Sequence, residues 1–372
     1  KVTEINLIIF IAIFTALSLV PFTKEFNKLS PYIAVTQLFL AITFLLSRDP
    51  MAATDADNYR YMYASVTTFS SVFEAYHGNF TFSYFMFIGK NLSLNVTTFL
   101  LIYPVICIIL SFIGLRLLVS INYLPIAFGF FAINPGFILL FTNVLRQGLA
   151  LSFFILGIGC FLKKSKIYKS FACLLLLLAI FSHFSAIILT FSFIIAVKII
   201  QVTRNPDKII KIITLLMVIT PLISSIIMLF PNLIINVSEL GGIFSKIDRY
   251  SNFGYDSYLF YVKAFLAYFI SIVNLFILKK YPPKQNDDYL IVLFIQMLVF
   301  VIFLLMPVPL ISSRLLYYSE LLVSIVIVNM YRTVIMKNTN LAHINAYLLW
   351  LAIVASGSFV YLYPSIRANT GF

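Results

Sequence analysis

Charged residues are scarce in this sequence. Only 10% of its 372 residues are charged, whereas 62% are hydrophobic and the mean hydropathy is +1.02. Because a soluble globular domain carries about 25% charged residues, this composition excludes a soluble fold. Apolar runs long enough to cross a hydrocarbon core of about 30 Å recur along the chain. Since lipid cannot satisfy backbone polar groups, the sequence predicts an all-α, polytopic integral membrane protein.

Motifs for metals, disulfides and nucleotides are also missing. The three cysteines, Cys107, Cys160 and Cys173, lie within apolar runs and form no CxxC or Cys/His pattern, which argues against a disulfide framework and a zinc site. The sequence has no Walker A loop, no GxSxG, no HExxH and no DxD-like acid pair on the side predicted to be cytoplasmic. We therefore expect no metal and no nucleotide cofactor.

Most apolar runs are predicted to form single helices. These runs are 5–22, 32–47, 95–118, 122–142, 147–162, 208–230, 259–278, 289–306, 315–335 and 344–363. The first is interpreted as a spanning helix and not as a signal peptide. Residues 170–197 are too long for an ordinary crossing and have basic flanks on both sides. We predict here a hairpin of two helices of about 14 residues each, turning at 182–185; one strongly tilted helix is the alternative.

The distribution of positive charge sets the predicted topology. The hairpin gives a total of about 12 membrane helices and an N-terminus on the outer side. Most of the 26 lysines and arginines then fall in cytoplasmic loops, as the positive-inside rule expects. Topology therefore explains the net charge of +13 without a nucleic-acid partner. We predict a single transmembrane domain over 1–372, with long outer loops at 48–94 and 231–258 that are candidates for function.

The stretch "FTNVLRQGLALSFFILGIG" places an arginine between two apolar runs. Arg146 is predicted to share one helical face with Asn143, Gln147 and Ala150, and residues 134–136 interrupt the preceding helix. A broken helix beside a buried arginine is typical of an anionic substrate site. The alternative is an arginine that snorkels to the outer headgroups.

A second arginine follows two prolines in "PVPLISSRLLYYSELL". Arg314 is predicted to open a helix, where unsatisfied N–H groups would help it to bind a phosphate or diphosphate. Tyr317 and Tyr318 lie one turn further on, and interfacial anchoring of this group is the alternative. Glu320 lies deeper and needs a partner, for which Tyr317 is on the right face.

Candidate acid–base groups lie on the same predicted side. His183, at the hairpin turn, could take a proton from a hydroxyl, or it could simply cap the turn by hydrogen bonding. Asp55 and Asp57 could accept a sugar-hydroxyl proton, with Tyr59 stacking on the sugar ring. The alternative is that these acids are solvated and cap a surface helix at Asn58 or Asp57.

The second outer loop carries mixed charge and aromatic residues in "FSKIDRYSNFGYDSY". Lys246, Asp248, Arg249 and Tyr250 could grip or gate a substrate, or could belong to an ordinary outer loop.

Taken together, "DADNYRYMY", "NPGF", "NVLRQGLALSF", "FSHFSAI" and "SSRLLYYSELL" resemble motifs of the EpsG-like branch of Wzy-type polysaccharide polymerases. The resemblance implies a GT-C type glycosyltransferase of the bacterial inner membrane, with its active site facing the periplasm. It implies an undecaprenyl-diphosphate-linked oligosaccharide as substrate, the lipid bilayer as surroundings and a chain-length regulator as partner. It also implies that Arg146 and Arg314 lie at the diphosphate site, near His183 and the segment 55–59.

The expected reaction is attack by a sugar hydroxyl on the anomeric carbon of a lipid-linked chain, while arginines stabilise the departing diphosphate. An O-antigen ligase would use the same chemistry with another acceptor. A flippase or transporter is an alternative from another class, but the sequence shows no internal repeat. A membrane acyltransferase fits less well, because its histidine would need a second polar partner in a tunnel open to the cytoplasm.

Overall fold

A computed structural model of the chain describes residues 28–74, 80–229, 257–280, 286–306 and 309–335, together with isolated positions at 10, 13–14, 16–17 and 282. Every secondary-structure element in these ranges is a helix, which confirms the predicted all-α class. The chain divides into two compact units, the first holding the described residues up to Ile187 and the second beginning at Ile188. The single transmembrane domain stays a prediction.

The first unit contains nine helices within its described residues. They are α1 (Ser30–Leu46), α2 (Ala56–Ser65), α3 (Ser71–Glu74), α4 (Phe80–Asn91), α5 (Val96–Leu118), α6 (Leu124–Ile133), α7 (Pro135–Thr142), α8 (Leu145–Phe161) and α9 (Lys166–Ser182). A short 3-10 turn, Ile121–Tyr123, precedes α6. The predicted outer loop 48–94 therefore contains three short helices, α2 to α4.

The second unit is a bundle around one buried helix. Its described helices are α10 (Ala186–Thr203), whose first two residues belong to the first unit, α11 (Pro206–Leu229), α12 (Ser257–Lys280), α13 (Asn286–Leu304) and α14 (Pro309–Ile335). Helix α13 packs against α11, α12 and α14, and most of its side chains are buried, including Leu293 and Leu298. The Tyr268 hydroxyl joins α12 to α11 by donating to the carbonyl of Met217 at 2.8 Å.

Four of the described helices are long and apolar enough to cross a membrane. They are Val96–Leu118, Ala186–Thr203, Pro206–Ile227 and Asp287–Leu304, and the bent pair α6 and α7 makes a fifth if it counts as one span. These helices support a membrane protein, while the total of about 12 stays a prediction. The predicted helix 344–363 and most of 5–22 lie outside the described residues. So do Lys246, Asp248, Arg249 and Tyr250 of the second outer loop.

The segment 170–197 forms two helices, α9 and α10, separated at His183–Ser185. The break is where the sequence predicted it, and the single tilted helix is wrong. The predicted length of about 14 residues is also wrong, because α9 and α10 have 17 and 18 residues. Helix α9 begins at Lys166 and α10 runs on through Lys198. Lysine can lie in the last turns of a membrane helix because its long side chain carries the ammonium group to the interface.

Helices α5 and α8 pack closely and run in the same direction. The Ser111 hydroxyl donates to Ser152 Oγ at 2.9 Å, Gly114 lies against the backbone of Leu156, and Leu117 lies against Gly159. Residue numbers rise together along both helices, so the pair is parallel. Small residues let membrane helices approach each other in this way.

Helix α9 runs back along α8 after a short connection at 162–165. The two helices pack along much of their length, and Leu176 of α9 contacts Gly157 of α8. Because the two helices are antiparallel, the C-terminal end of α9 and the N-terminal end of α8 lie at the same end of the unit. His183 and Arg146 are therefore placed at that end by topology.

Candidate functional site

The helix predicted over 122–142 is broken at Asn134, as the sequence indicated. The two parts are bent by 71°. Asn134 has an extended conformation, and its Oδ1 accepts a hydrogen bond from Gly136 N at 2.8 Å. Pro135, the first residue of α7, explains the break, because proline forces the preceding residue out of the helical region and has no N–H to donate.

A second break separates α7 from α8 and shapes the site. Asn143 ends α7 and Val144 is not helical, with φ −95° and ψ 58°. The prediction that Asn143 shares one helical face with Arg146 is therefore wrong, because the helix is not continuous between them. Gly148 allows the start of α8 to lie close to the end of α7: a Cβ there would run into the carbonyl oxygen of Leu140. The glycine of "LRQGLA" is thus needed for the fold of this junction.

The segment 48–94, predicted as the first outer loop, docks on this junction through hydrogen bonds. Asn143 Oδ1 accepts from Thr54 Oγ1 at 3.1 Å and from Asp55 N at 3.0 Å. The Tyr59 hydroxyl oxygen accepts from the backbone N–H of Leu145 at 3.0 Å. This N–H is one of the donors that the first turn of a helix leaves unsatisfied. The structure thus brings together the "DADNY" and "NVLRQ" motifs, which are far apart in the sequence.

Tyr59 is a buried support of the junction. Only 2% of it is exposed, and its ring lies 5.3 Å from that of Phe82. Burial raises the pKa of Tyr59 to about 12, while Arg146 opposes this shift through its charge and a hydrogen bond. The tyrosine is therefore neutral at physiological pH and bonded to both Leu145 and Arg146. The prediction that its ring stacks on a sugar is wrong, because the ring is enclosed by protein.

Arg146 and Gln147 form the polar start of α8. Arg146 is half-buried, and it lies in the first turn, where the helix dipole favours an anion. Gln147 is fully buried, and neither of its amide atoms has a hydrogen-bond partner. A buried polar group left in this state costs about 1–3 kcal/mol, so it calls for an explanation. A ligand that accepts from Arg146 and Gln147 would supply one.

The two acids of the loop differ in position. Asp55 is half-buried at the N-cap of α2, and its charge acts on Tyr59. Asp57 is exposed and forms an ion pair with Arg60 at 3.3 Å. Capping of the surface helix at Asn58 or Asp57 is therefore wrong, since Asp55 is the N-cap residue. Only Asp55 lies next to the buried junction.

His183 caps the end of α9. Its backbone N–H donates to the carbonyl of Ala179, and its Nδ1 accepts from Ser185 N at 3.2 Å and lies 2.6 Å from Ser185 Oγ. A backbone N–H can only donate, so Nδ1 is the unprotonated nitrogen and a neutral ring carries its proton on Nε2. The turn-capping interpretation therefore describes this histidine.

The end of α9 that carries His183 also contacts α4, one of the helices of the segment 48–94. Thr81 Oγ1 of α4 donates to the carbonyl of Leu178 at 3.3 Å. The next residue of α4, Phe82, packs on Tyr59. These contacts place the turn at His183 on the same side of the first unit as the junction at Asn143.

The other predicted site residues belong to α14 of the second unit. Helix α14 begins at Pro309, so Arg314 lies in its second turn. The prediction that Arg314 opens the helix is therefore wrong. The free N–H groups of a helix start are therefore not beside it. Tyr318 is fully buried, which contradicts a contact with glycan, whereas Arg314, Tyr317 and Glu320 are half-buried. The roles of Arg314 and Tyr317 stay predictions.

Sequence reasoning missed one residue of this region, Arg48. An arginine directly after an apolar run resembles an interfacial anchor, but Arg48 is buried and bonded to the backbone of α5 and α7. One indication was present in the sequence. Pro104, inside the apolar run 95–118, leaves a carbonyl of that helix without its usual donor.

Comparison with known proteins gives one result. A family model described as the EpsG family matches residues 36–366. No curated protein and no solved structure matches the chain.

Proposed function

The chain belongs to the EpsG family, whose model covers residues 36–366, and we propose on this basis that it is a polysaccharide polymerase. Membership of the family indicates a polymerase-type function in the synthesis of exopolysaccharide or O-antigen. We propose that the enzyme joins undecaprenyl-diphosphate-linked repeat units by glycosyl transfer, at the outer face of the inner membrane.

One observation carries this proposal. The first turn of α8 presents Arg146 and the buried, unpartnered amide of Gln147. The loop from Thr54 to Tyr59 holds this turn in place through Asn143 and Leu145. A fixed cluster of donors at a helix N-terminus suits a phosphate group. The lipid diphosphate is the charged part of the proposed substrate that would need such a cluster.

The proposed reaction transfers the growing chain from its lipid to a second repeat unit. A hydroxyl oxygen of the acceptor sugar forms a bond to the anomeric carbon of the donor. The bond between that carbon and the diphosphate oxygen breaks, and its electron pair leaves with the lipid diphosphate. Arg146 and Gln147 donate to the diphosphate oxygens as their negative charge grows, which stabilises the transition state.

Asp55 is the proposed acceptor of the hydroxyl proton. It is half-buried beside the junction, whereas Asp57 is exposed and paired with Arg60. His183 suits this role less well, because Nδ1 is already engaged and the proton of the neutral ring is on Nε2. We propose instead that the His183 Nε2–H donates to the substrate. Arg314 is proposed as a diphosphate ligand and Tyr317 as a glycan contact.

The direct test is complementation of a polymerase-null strain. Arg146→Ala, Arg314→Ala and His183→Ala are each expected to shorten the ladder of glycan chains on a gel. Arg60→Ala is the matched control, because it removes an outer-loop arginine whose side chain is exposed and bonded to Asp57. If the three site variants, at normal expression, all restored full-length chains, the proposed site would be wrong.

The proposed orientation has a separate test. Phe184, in the turn after α9, is 38% exposed, whereas His183 is buried. A single cysteine at position 184 should react with an impermeant thiol reagent added from the outside of intact cells. Reaction only after the reagent is given access to the cytoplasm would contradict an outer-facing site.

A further inference from the structure

Arg48 is a buried cation that the proposed reaction does not use. Only 4% of it is exposed. Its Nη1 donates to the carbonyl of Thr142 and its Nη2 to the carbonyl of Leu100, both at 2.7 Å. Burial lowers the pKa of Arg48 to about 10, so the side chain is still charged at neutral pH. A buried charge is tolerated only when it is hydrogen-bonded, and these two carbonyls provide the bonds.

Both carbonyls lack a donor within their own helix. The carbonyl of Leu100 would accept from the N–H of residue 104, but that residue is Pro104, inside α5. Thr142 is the last residue of α7, and the last four carbonyls of a helix have no intrahelical donor. The planar fork of one guanidinium thus satisfies two orphan acceptors on two different helices.

Arg48 also belongs to the loop that docks on the junction. Seven residues further along this loop, Asp55 donates its backbone N–H to the side chain of Asn143. Arg48 holds the carbonyl of Thr142, the residue directly before Asn143. The loop therefore donates hydrogen bonds to two successive residues of the junction. The Arg48 side chain donates to Thr142, and the backbone of Asp55 donates to Asn143.

We propose that Arg48 is a positioning residue for the candidate site. It fixes the end of α7 against α5, and so sets where α8 begins and where Arg146 and Gln147 point. That the junction belongs to a catalytic site rests on the proposed function. That Arg48 holds the junction in place does not. The competing explanation is that Arg48 only repairs the carbonyl of Leu100, with no effect on the junction.

Pro104→Ala separates these two explanations. Alanine at position 104 brings back an N–H that can bond to the carbonyl of Leu100 within α5. If Arg48 serves only that carbonyl, Pro104→Ala should correct every defect of Arg48→Ala. If Arg48 positions the junction, the double variant should regain thermal stability while the junction stays loose.

The measurement is the labelling rate of a cysteine at Val144, which is half-buried between α7 and α8. The full-length protein is purified in detergent, with its three native cysteines replaced by alanine, and reacted with a maleimide. We expect labelling to be about tenfold faster in Arg48→Ala and in Arg48→Ala/Pro104→Ala than with Arg48 intact, since local opening exposes the thiol. A cysteine at Ser165, exposed at the opposite end of α8, is the control and should label at one rate in all variants.

Two results would overturn the proposal. One is an unchanged rate at position 144 in Arg48→Ala. The other is recovery of the slow rate in the double variant. If Arg48→Ala does not accumulate, Arg48→Lys/Pro104→Ala compared with Pro104→Ala alone gives the same decision, because lysine keeps the charge but not the two-pronged geometry. Faster labelling at 144 in the lysine variant supports positioning, and an equal rate contradicts it.

Activity is read separately, so that the two proposals fail in different ways. Arg48→Lys should shorten the glycan ladder less than Arg48→Ala does. If the unaltered protein makes no polymer in the null strain while the labelling rates change as expected, the proposed function is wrong and the hold on the junction stands. If it makes polymer and the labelling rates do not change, the positioning role is wrong.

Discussion

The two ends of α8 are held by different forces. At its N-terminal end, hydrogen bonds from a distant loop fix Asn143, Leu145 and Arg146. Further along, α8 packs closely on α5, with Gly114 against the backbone of Leu156. Polar side chains are costly inside a membrane protein, so those that occur there mark functional sites. Close packing of small residues, in contrast, stabilises the association of helices. We therefore expect substitutions at the first end to reduce activity and those at the second to reduce stability.

The largest effect is expected at Asp55. Asp55→Asn removes the proposed proton acceptor and keeps the size and the backbone bond to Asn143, so activity should fall about 10²–10⁴-fold. The measurement is the rate of polymer formation by the purified enzyme from a lipid-linked repeat unit. Asp57→Asn is the matched control, two residues away and exposed, and should retain most activity. Equal losses in both variants would contradict the assignment.

Arg146→Ala should have the next largest effect on activity. Loss of one donor to a developing anion costs about 10²–10³-fold in rate. The thermal unfolding temperature should change little, because the bonds of the loop to Asn143 and Leu145 remain when the bond between Arg146 and Tyr59 is lost. Arg146→Lys should recover part of the rate, since lysine keeps the charge and loses the fork. A large fall in unfolding temperature, with the rate preserved, would show that Arg146 stabilises the fold and does not act on the diphosphate.

Gly114→Ala tests the apolar end of the comparison. The added methyl group would lie 2.7 Å from Leu156 N and 2.8 Å from Ile155 C, both backbone atoms that cannot move aside cheaply. We expect a loss of about 1–3 kcal/mol, seen as a lower unfolding temperature of the purified protein. Activity per folded molecule should be unchanged.

Gly157→Ala is the control for that variant. The atoms nearest to its new methyl group are all side-chain atoms, Cδ2 and Cγ of Leu176 at 3.2 Å and Cβ of Leu175 at 3.4 Å. Alanine also favours a helix by about 1 kcal/mol over glycine. This variant should be neutral or slightly stabilising. Equal destabilisation by the two alanines would show that the backbone contact at Gly114 is not the cause.

Tyr59→Phe is expected to reduce both stability and activity, with a loss of stability similar to that of Gly114→Ala. It leaves the N–H of Leu145 without its acceptor and should cost about 1–3 kcal/mol of stability, with a modest loss of rate. The pKa of Tyr59 is raised to about 12 in the fold, above its usual value of about 10. The stability it contributes is therefore complete below about pH 10 and is lost as the pH rises to about 12. Thermal unfolding in alkaline buffers should show less of this loss in the phenylalanine variant.

Much of the fold could be predicted because its causes are local. The break at Asn134 was predicted from Pro135, and the break at His183 from the length of the apolar run 170–197. Both breaks are where the sequence indicated. Lengths and starts were harder to predict. Helix α14 starts at Pro309 and not at the predicted 315, because proline suits the first turn of a helix. Helix α9 takes in Lys166, because a helix continues past the apolar run when a long side chain can reach water.

The sequence by itself determined that this chain is a helical membrane protein of the EpsG family, since hydropathy, proline positions and short motifs are properties of neighbouring residues. Only the tertiary structure decided which polar residues meet: Asn143 with Asp55, Tyr59 with Leu145, and Arg48 with Thr142 and Leu100. It also separated Asp55 from Asp57, which look equivalent in the sequence. The physical reason is that a hydrogen bond depends on distances of about 3 Å between groups that the chain brings together only on folding.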